Sequence, residues 1–343
     1  MKRISYSINE NNCLNTIRLL AAIRILYRHS THYLCYGLYP FEIYLTDIFD
    51  GVPIFLTLSG YLIWTSIGRS QSFNTYLKKR FWRIFPELWC AVLFEIFCII
   101  IFYTEHINWL ELGLFTITQG TIFQFWEPTF LYGYGSGTPN GALWTISVLI
   151  QFYIIAYFIY KILHNKRIYA WALFIASTLL LGYCTPKIIT HIPYPFNRWY
   201  MQSIFPYLWL FLISSFVAEK KEIILPITKK YWLIFIIWST VFYSFELDLY
   251  AQYNIIQSIT LFLGLLGIAY SYPGFNIKTD ISYGIYIYHM SIVNVFIFIL
   301  GEGNRWHVLL SILITIFIAI ISTKTIGNWA HNKKKPFTTN NLS

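Results

Sequence analysis

A helix that crosses a bilayer needs roughly 20 consecutive, mostly apolar residues, and blocks of that kind recur along almost the whole of this chain. No other feature narrows the fold as much, because in lipid only helices and closed barrels satisfy their own backbone. A barrel would require short segments of alternating polarity, and these are absent. The chain therefore reads as an all-α, polytopic membrane protein without a separate soluble domain. Of its 343 residues, 57% are hydrophobic and 12% charged, about half the charged fraction of a soluble domain.

Hydropathy predicts ten spans, near 14–33, 48–66, 86–104, 143–162, 168–185, 200–217, 231–247, 252–271, 281–300 and 306–325. The stretch 105–142 reads as a long loop with a re-entrant or interfacial piece, since Pro128, Gly133, Gly135, Gly137 and Pro139 crowd its end. No cleavable signal is expected; the first span would serve as an uncleaved one. The resulting division is a cytoplasmic segment 1–13, one membrane domain 14–325 and a cytoplasmic tail 326–343. With the N-terminus inside and strict alternation, 19 of the 25 Lys and Arg residues fall on cytoplasmic segments. Lys187, Arg198 and Arg305 fall outside, and Arg18, Arg24 and Arg28 lie within the first span. This asymmetry predicts an N-in, C-in topology. It also explains the net charge of +10 without a nucleic-acid partner. The five cysteines are scattered, show no metal-ligand spacing and imply no disulfide framework.

Ionisable residues inside a span are costly and mark functional candidates. In "IRLLAAIRILYRHSTHY", Arg18 and His29 are separated by 11 positions, which on a helix is about 20° from full turns and about 16 Å of rise. They share a face, with Ala21, Ala22 and Ile25 between them, a small-residue stripe that admits a neighbouring helix or a thin ligand. Arg18 also fits a snorkelling anchor, and His29 an interfacial polar residue. Arg24 and Arg28 lie off that face, with no role beyond pairing in the bundle. In "YLKKRFWRIFPELW", Arg80 and Arg83 lie on one helical face, a fork suited to phosphate oxygens, although ordinary positive-inside charge would place them there too. "GVPIFLTLSGYLIW" sets Ser59 and Gly60 inside an apolar span, as close helix packing also would. "NGALWTISVLIQFY" contributes Asn140 and Trp144 as candidates, and "DISYGIYIYHMSIV" contributes His289, in a helix where packing alone would account for a lone histidine. Tyr and Trp in 105–142 and 185–205 suit sugar stacking and equally an interfacial aromatic belt.

Together, and in order, these segments resemble the acyltransferase-3 family of integral membrane acyltransferases. "CLNTIRLLAAIRILYRHS" is similar to the family's first helix, in which an Arg is followed after ten residues by a His. "GVPIFLTLSGYLI" resembles the second-helix Ser-Gly signature, and "YLKKRFWRIFPELW" the Arg-x-x-Arg segment followed by Pro. "GALWTISVLIQFY" resembles the Leu-Trp stretch, and "SYGIYIYH" the late Ser-Tyr-Gly run ending in His. The resemblance implies ten spans in a bacterial inner membrane. It further implies transfer of an acyl group, often acetyl, from cytoplasmic acetyl-CoA or another acyl-CoA. The acceptor would be a hydroxyl of a cell-surface glycan or its lipid-linked precursor, and no metal is implied. Carried over by position, His29 is the catalytic histidine and Arg18 its motif partner. Arg80, Arg83 and Ser59 are acyl-CoA contacts, with Asn140, Trp144 and His289 as an additional site.

Two positions depart from the family pattern: Asn15 stands where an Asp is common, and Leu149 where a Glu is common. Either another group substitutes, with Glu87, Glu95 and Gln151 the candidates by position, or this branch of the family does without. On this reading Arg80 and Arg83 hold the CoA phosphates and the pantetheine arm runs into the bundle toward His29. His29 then acts as general base or as acyl carrier. The competing classes are a flippase for lipid-linked glycans, whose arginines would bind pyrophosphate, a non-catalytic sensor, and an acyltransferase acting on a small molecule.

Overall fold

The computed structural model describes residues 11–35, 39–124, 126–245 and 253–334. Residues 1–10 and the tail from 335 onward lie outside the described residues. In chain order, α1 spans Leu14–Leu34, α2 Pro40–Ile48, α3 Gly51–Gly68, α4 Phe73–Phe102, α5 Trp109–Gln119, α6 Trp144–Leu163 and α7 Ile168–His191. There follow α8 Phe196–Met201, α9 Leu208–Glu219, α10 Lys221–Ser244, α11 Ile255–Ser271, α12 Ser282–Leu300, α13 Arg305–Ser322 and α14 Asn328–Lys334. No sheet forms among the described residues.

Eight helical stretches among the described residues are long and apolar enough to cross a membrane: Pro40–Gly68, Phe73–Phe102, Trp144–Leu163, Ile168–His191, Phe196–Glu219, Lys221–Ser244, Ser282–Leu300 and Arg305–Lys334. Helices α1 and α11 stand outside this set. The first carries Arg18, Arg24 and Arg28 in its 21 residues, and the second has only 17 residues. The protein is thus an all-α, polytopic membrane protein.

Local chemistry sets the boundaries where they differ from hydropathy. Ser72 caps α4 by accepting from the Thr75 N–H, so the basic run 78–83 is helical and Pro86 lies inside the helix. A short 3-10 turn, Phe205–Tyr207, precedes α9, because Pro206 has no N–H to continue a helix from upstream. Helix α10 begins at Lys221 and kinks at Tyr231, where φ is −116° and ψ 18°. Within 105–142 the chain forms the 11-residue α5 and then an irregular run. Gln119, Gln124, Leu131, Tyr134 and Asn140 in this stretch are buried, so protein covers the non-helical backbone.

Helix α13 turns its large apolar side chains outward and its small and hydroxyl side chains inward. On α13, Ser311, Thr315, Ala319 and Ser322 are buried while Leu309, Leu313 and Phe317 are exposed. Lipid tails are as apolar as leucine, so helices associate through small and hydroxyl side chains and turn large apolar ones outward. Helix α12 is the axis of the assembly. Nearly every residue from Ser282 to Asn294 is buried, and it packs on α1, α4 and α13. The small stripe of α1 is filled by neighbouring helices. Ala22 packs with Ile285 and Ala319, while Gly51 of α3 seats against Ala21 and Ile25.

Gly60 shows how tight these crossings are. A Cβ there would lie 2.7 Å from the Phe211 carbonyl oxygen of α9, and that backbone cannot retreat without shifting the helix. Gly60→Val is expected to cost about 1–3 kcal/mol, the usual range for overpacking, read as a lower melting temperature of the detergent-solubilised protein. An unchanged melt would mean that α3 and α9 can separate freely.

Candidate active site

Helix α1 presents two functional ends. Toward its C-terminus, Arg24, Arg28, His29, His32 and Tyr33 line a cavity of about 600 Å³. Asp47, Asp50 and Pro53 line it from α2 and the start of α3, and Tyr243, Tyr253, Asn254, Gln257 and Ser258 from α10, α11 and the residues just before α11. Arg24 and Arg28, one helical turn apart, are held by carboxylates. Arg24 donates to Asp50 Oδ1 at 3.2 Å, to Asp47 Oδ1 at 3.3 Å and to the Thr46 carbonyl at 2.7 Å. Arg28 donates to Asp47 Oδ1 at 2.8 Å and Thr46 Oγ1 at 3.1 Å. The cavity wall is therefore polar and close to charge-balanced, with fixed donors and acceptors.

His29 Nδ1 lies 2.8 Å from His289 Nε2, and His289 Nδ1 lies 2.7 Å from the Tyr286 carbonyl oxygen. A carbonyl only accepts, so in the neutral ring His289 carries its proton on Nδ1 and its Nε2 is an acceptor. His29 must then donate from Nδ1. Its remaining lone pair is on Nε2, on a ring that lines the cavity. His289 is 1% exposed, so water does not compete for this relay.

The 140–145 motif holds the helix that carries His289. Asn140 Nδ2 donates to the Ile287 carbonyl at 3.0 Å. The Tyr286 hydroxyl donates to the Ala142 carbonyl at 2.7 Å and contacts Thr145 Oγ1 at 2.6 Å. Trp144 packs on Tyr207, with ring centroids 5.3 Å apart. Asn140 thus reaches the backbone two residues from His289, and Trp144 serves packing.

The other end of α1 holds Arg18, about 16 Å of helix rise from His29. Its partner is Asp280, two residues before α12: Arg18 Nη1 donates to Oδ2 at 2.5 Å and Arg83 Nη2 to the same oxygen at 3.0 Å. Asp280 Oδ1 accepts from the Ser282 N–H at 3.1 Å. Burial works to raise the Asp280 pKa, but the Arg83 and Arg18 guanidinium groups and the Ser282 bonds outweigh it and hold the carboxyl below its usual value. The four basic residues of α4 divide their tasks. Lys78 is exposed, Lys79 is buried with Nζ 3.5 Å from Ser70 Oγ, Arg80 stacks on Tyr153 and Tyr76, and Arg83 joins Asp280. Arg18 is thereby grouped with Arg83 and lies about half the length of α1 away from His29. Ser59 is half-buried and does not line the His29 cavity.

The two family departures have separate outcomes. Asn15 Oδ1 accepts from Arg18 Nη1 at 3.5 Å, while Asp280 supplies the negative charge. Leu149 is a core packing residue. Of the suggested substitutes, Gln151 is taken up by the Gln202 carbonyl and the Ile204 N–H. Glu87 sits within electrostatic reach of Arg83 and Asp280. Glu95 is fully buried and neither carboxylate oxygen has a hydrogen-bond partner among the described residues. Sequence reasoning passed over Asp280, Asp47 and Asp50. The available signal for the first was an acid just ahead of an apolar, helix-forming run, the usual place for a helix-start acceptor.

Residues 11–324 match the acyltransferase-3 family model, described as an acyltransferase domain. Nodulation protein 10 of Rhizobium leguminosarum bv. viciae is 26% identical over 345 residues, covering 92% of each chain. An O-acetyl transferase of Shigella phage Sf6 is 28% identical over 331 residues, covering 92% of this chain and 94% of the phage protein. No solved structure gives a significant match. The chain belongs to the acyltransferase-3 family and is a membrane-embedded acyltransferase.

Asp280 is the joint between α1, α4 and α12, and Asp280→Asn would leave two guanidinium groups without their carboxylate. The expected loss at neutral pH is about 1–3 kcal/mol, between the values for exposed and buried pairs, because these side chains are only partly buried. Because the folded-state pKa is lowered, this contribution is full above the ordinary aspartate value of 3.8 and fades as pH falls below it. Melting temperatures of wild type and Asp280→Asn should therefore differ at pH 7 and converge in acid. A gap that widens on acidification would contradict the assignment.

Proposed function

We propose that this protein transfers an acyl group, acetyl foremost, from acyl-CoA to a hydroxyl of a cell-surface glycan or its lipid-linked precursor, with His29 Nε2 as the general base. The observation that carries this reading is the relay from the Tyr286 carbonyl through His289 to His29. It orients His29 and leaves its Nε2 lone pair beside a polar cavity of sugar-accommodating size. The paired Arg24, Arg28, Asp47 and Asp50, with Gln257 and Asn254, offer the mixed donors and acceptors that hydroxyl groups require.

In the reaction, Nε2 takes the proton of the acceptor hydroxyl as its oxygen attacks the thioester carbonyl carbon. The tetrahedral intermediate collapses by breaking the C–S bond, and the Nε2 proton passes to the departing CoA thiolate. His289 keeps the ring in the tautomer that can do this and stabilises the imidazolium through its acceptor nitrogen. The donor enters from the opposite end of α1. Arg80 and Arg83 bind its phosphates there, Arg18 and Asp280 fix Arg83, and the pantetheine arm spans the distance of about 16 Å along α1.

The same reading sets ten crossings in a bacterial inner membrane, with both termini cytoplasmic. It is supported by the positive-inside distribution of lysine and arginine. It is also supported by the parallel course of α1 and α12, which the first and ninth spans of an alternating bundle must share. Arg18 meets Asp280 and His29 meets His289, so both helices run the same way. Transfer of acetyl to an oxygen is further supported by the named activity of the phage relative, an O-acetyl transferase.

His29→Ala should reduce acetyl-CoA-dependent esterification of glycan by about 10²-fold or more, while the protein still accumulates in the membrane. His289→Ala should lower kcat with little change in the KM for acetyl-CoA. His289→Gln, whose Oε1 can accept from His29 Nδ1, should retain more activity than the alanine variant. Quantifying acetyl esters on surface glycans, together with CoA release by purified protein, checks all three. Wild-type esterification by His29→Ala would refute the base assignment.

A further inference from the structure

Beyond α13 the helix continues through residues 323–334, and this continuation lies against α4. Thr323–Gly327 forms a π-helical turn, and α14 then packs against α4. Trp329 meets Trp82 edge to face, with ring centroids 5.5 Å apart at 79°. Gly327 lies close to Glu87 of α4, whose Oε1 would be 2.7 Å from a Cβ at that position. This geometry brings the Lys334 ammonium within electrostatic reach of Arg18, Lys79, Arg80 and Arg83.

Such a gathering is unfavourable by itself, because like charges that share a partly desolvated site repel. Among the described residues, the carboxylates facing it are Asp280 and Glu87, and Asp280 is already engaged by both Arg18 and Arg83. Cations remain in excess. Arg80 Nε is moreover buried with no hydrogen-bond partner, although its guanidinium is held between the Tyr76 and Tyr153 rings. A bound polyanion would relieve both the repulsion and the unsatisfied donor. Several phosphate groups on one molecule match the spread of the cluster better than a single carboxylate does.

We propose that α14 is a wall of the donor site and that Lys334 binds the nucleotide phosphates of acyl-CoA opposite Arg80 and Arg83. Trp329 is the anchor that holds the helix over the bound nucleotide. This inference rests on the donor reading above and adds to it a residue from α14, the last helix among the described residues. Free phosphate and anionic lipid headgroups share the same chemistry, and the test separates them from CoA.

The experiment compares acetyl-CoA with acetyl-pantetheine, which has the same thioester arm and no nucleotide phosphates. Lys334→Ala and Trp329→Ala should each raise the KM for acetyl-CoA by about fivefold, the factor that one lysine at a phosphate surface is worth. Neither should alter kinetics with acetyl-pantetheine, and Lys334→Arg should behave as wild type. If a variant is inactive, the thermal shift given by CoA reads the site directly: CoA should raise the melting temperature of wild type more than that of Lys334→Ala. An unchanged KM and an unchanged CoA shift in Lys334→Ala would overturn the proposal. So would an equal loss with acetyl-pantetheine, or a wild-type shift given by inorganic phosphate or by phosphatidylglycerol alone. Arg80→Ala and Arg83→Ala separate the two levels. If they raise the KM for acetyl-CoA while Lys334→Ala does not, only the role of α14 falls; if they too leave it unchanged, the donor reading falls.

Discussion

The parallel pairing of α1 and α12 is the constraint on which the rest of the architecture depends. Two polar cross-links tie the helices, Arg18 to Asp280 at one end and His29 to His289 further along. Between them Ala22 and Ile285 pack in an apolar layer with Ala319 of α13. Each link disciplines the other, because a slip of one residue along either helix would rotate its polar partner by about 100° and strand a charge or an imidazole in an apolar layer. The register of this one pair therefore sets the tautomer of His29, the position of Arg83 and the distance between the two ends of the site.

The arginines that make α1 a poor membrane helix by composition are accommodated because each meets an acid from elsewhere in the chain. Arg24 and Arg28 are held by Asp47 and Asp50, Arg18 by Asp280, and Arg305 of α13 by Glu42 of α2. An unpaired guanidinium in hydrocarbon costs several kcal/mol, whereas a paired and hydrogen-bonded one can be tolerated. Pairing does not make these bridges strong sources of stability, since desolvation offsets much of the attraction. What they contribute is position. They fix polar groups at the wall of the His29 cavity and around Asp280 without letting them rotate toward lipid. Among the described residues Arg80 and Lys334 form no salt bridge of this kind, which is the ground for proposing a ligand there.

Much of this was legible in the chain before any tertiary contact was known. Arg18 and His29 fall on one face by helical periodicity, and Arg80 and Arg83 share a face for the same reason. Gly60 stands where close approach is needed. The aspartates were not legible, because Asp47, Asp50 and Asp280 sit in short connections and helix ends where acidic residues are ordinary. His289 stood out as an intramembrane histidine, yet its spacing held no hint that it would touch His29 across 260 positions. Lys334 was hidden most completely, since a run of lysines after the last apolar block looks like solvated tail.

By itself the sequence determined the class of structure: apolar blocks of bilayer length, interrupted by basic segments, can satisfy their backbone in lipid only as a helical bundle. Its motifs also determined the family, because the spacing of Arg, His and Trp within helices is a local property that needs no partner to be read. Only the tertiary structure decided which charges belong together. It moved Arg18 from the company of His29 to that of Arg83 and gave His29 a second histidine as its partner. It also brought the last helix onto the fourth. Pairing across helices is a matter of register and rotation, and those are set by how whole helical faces pack, which no short stretch of sequence encodes.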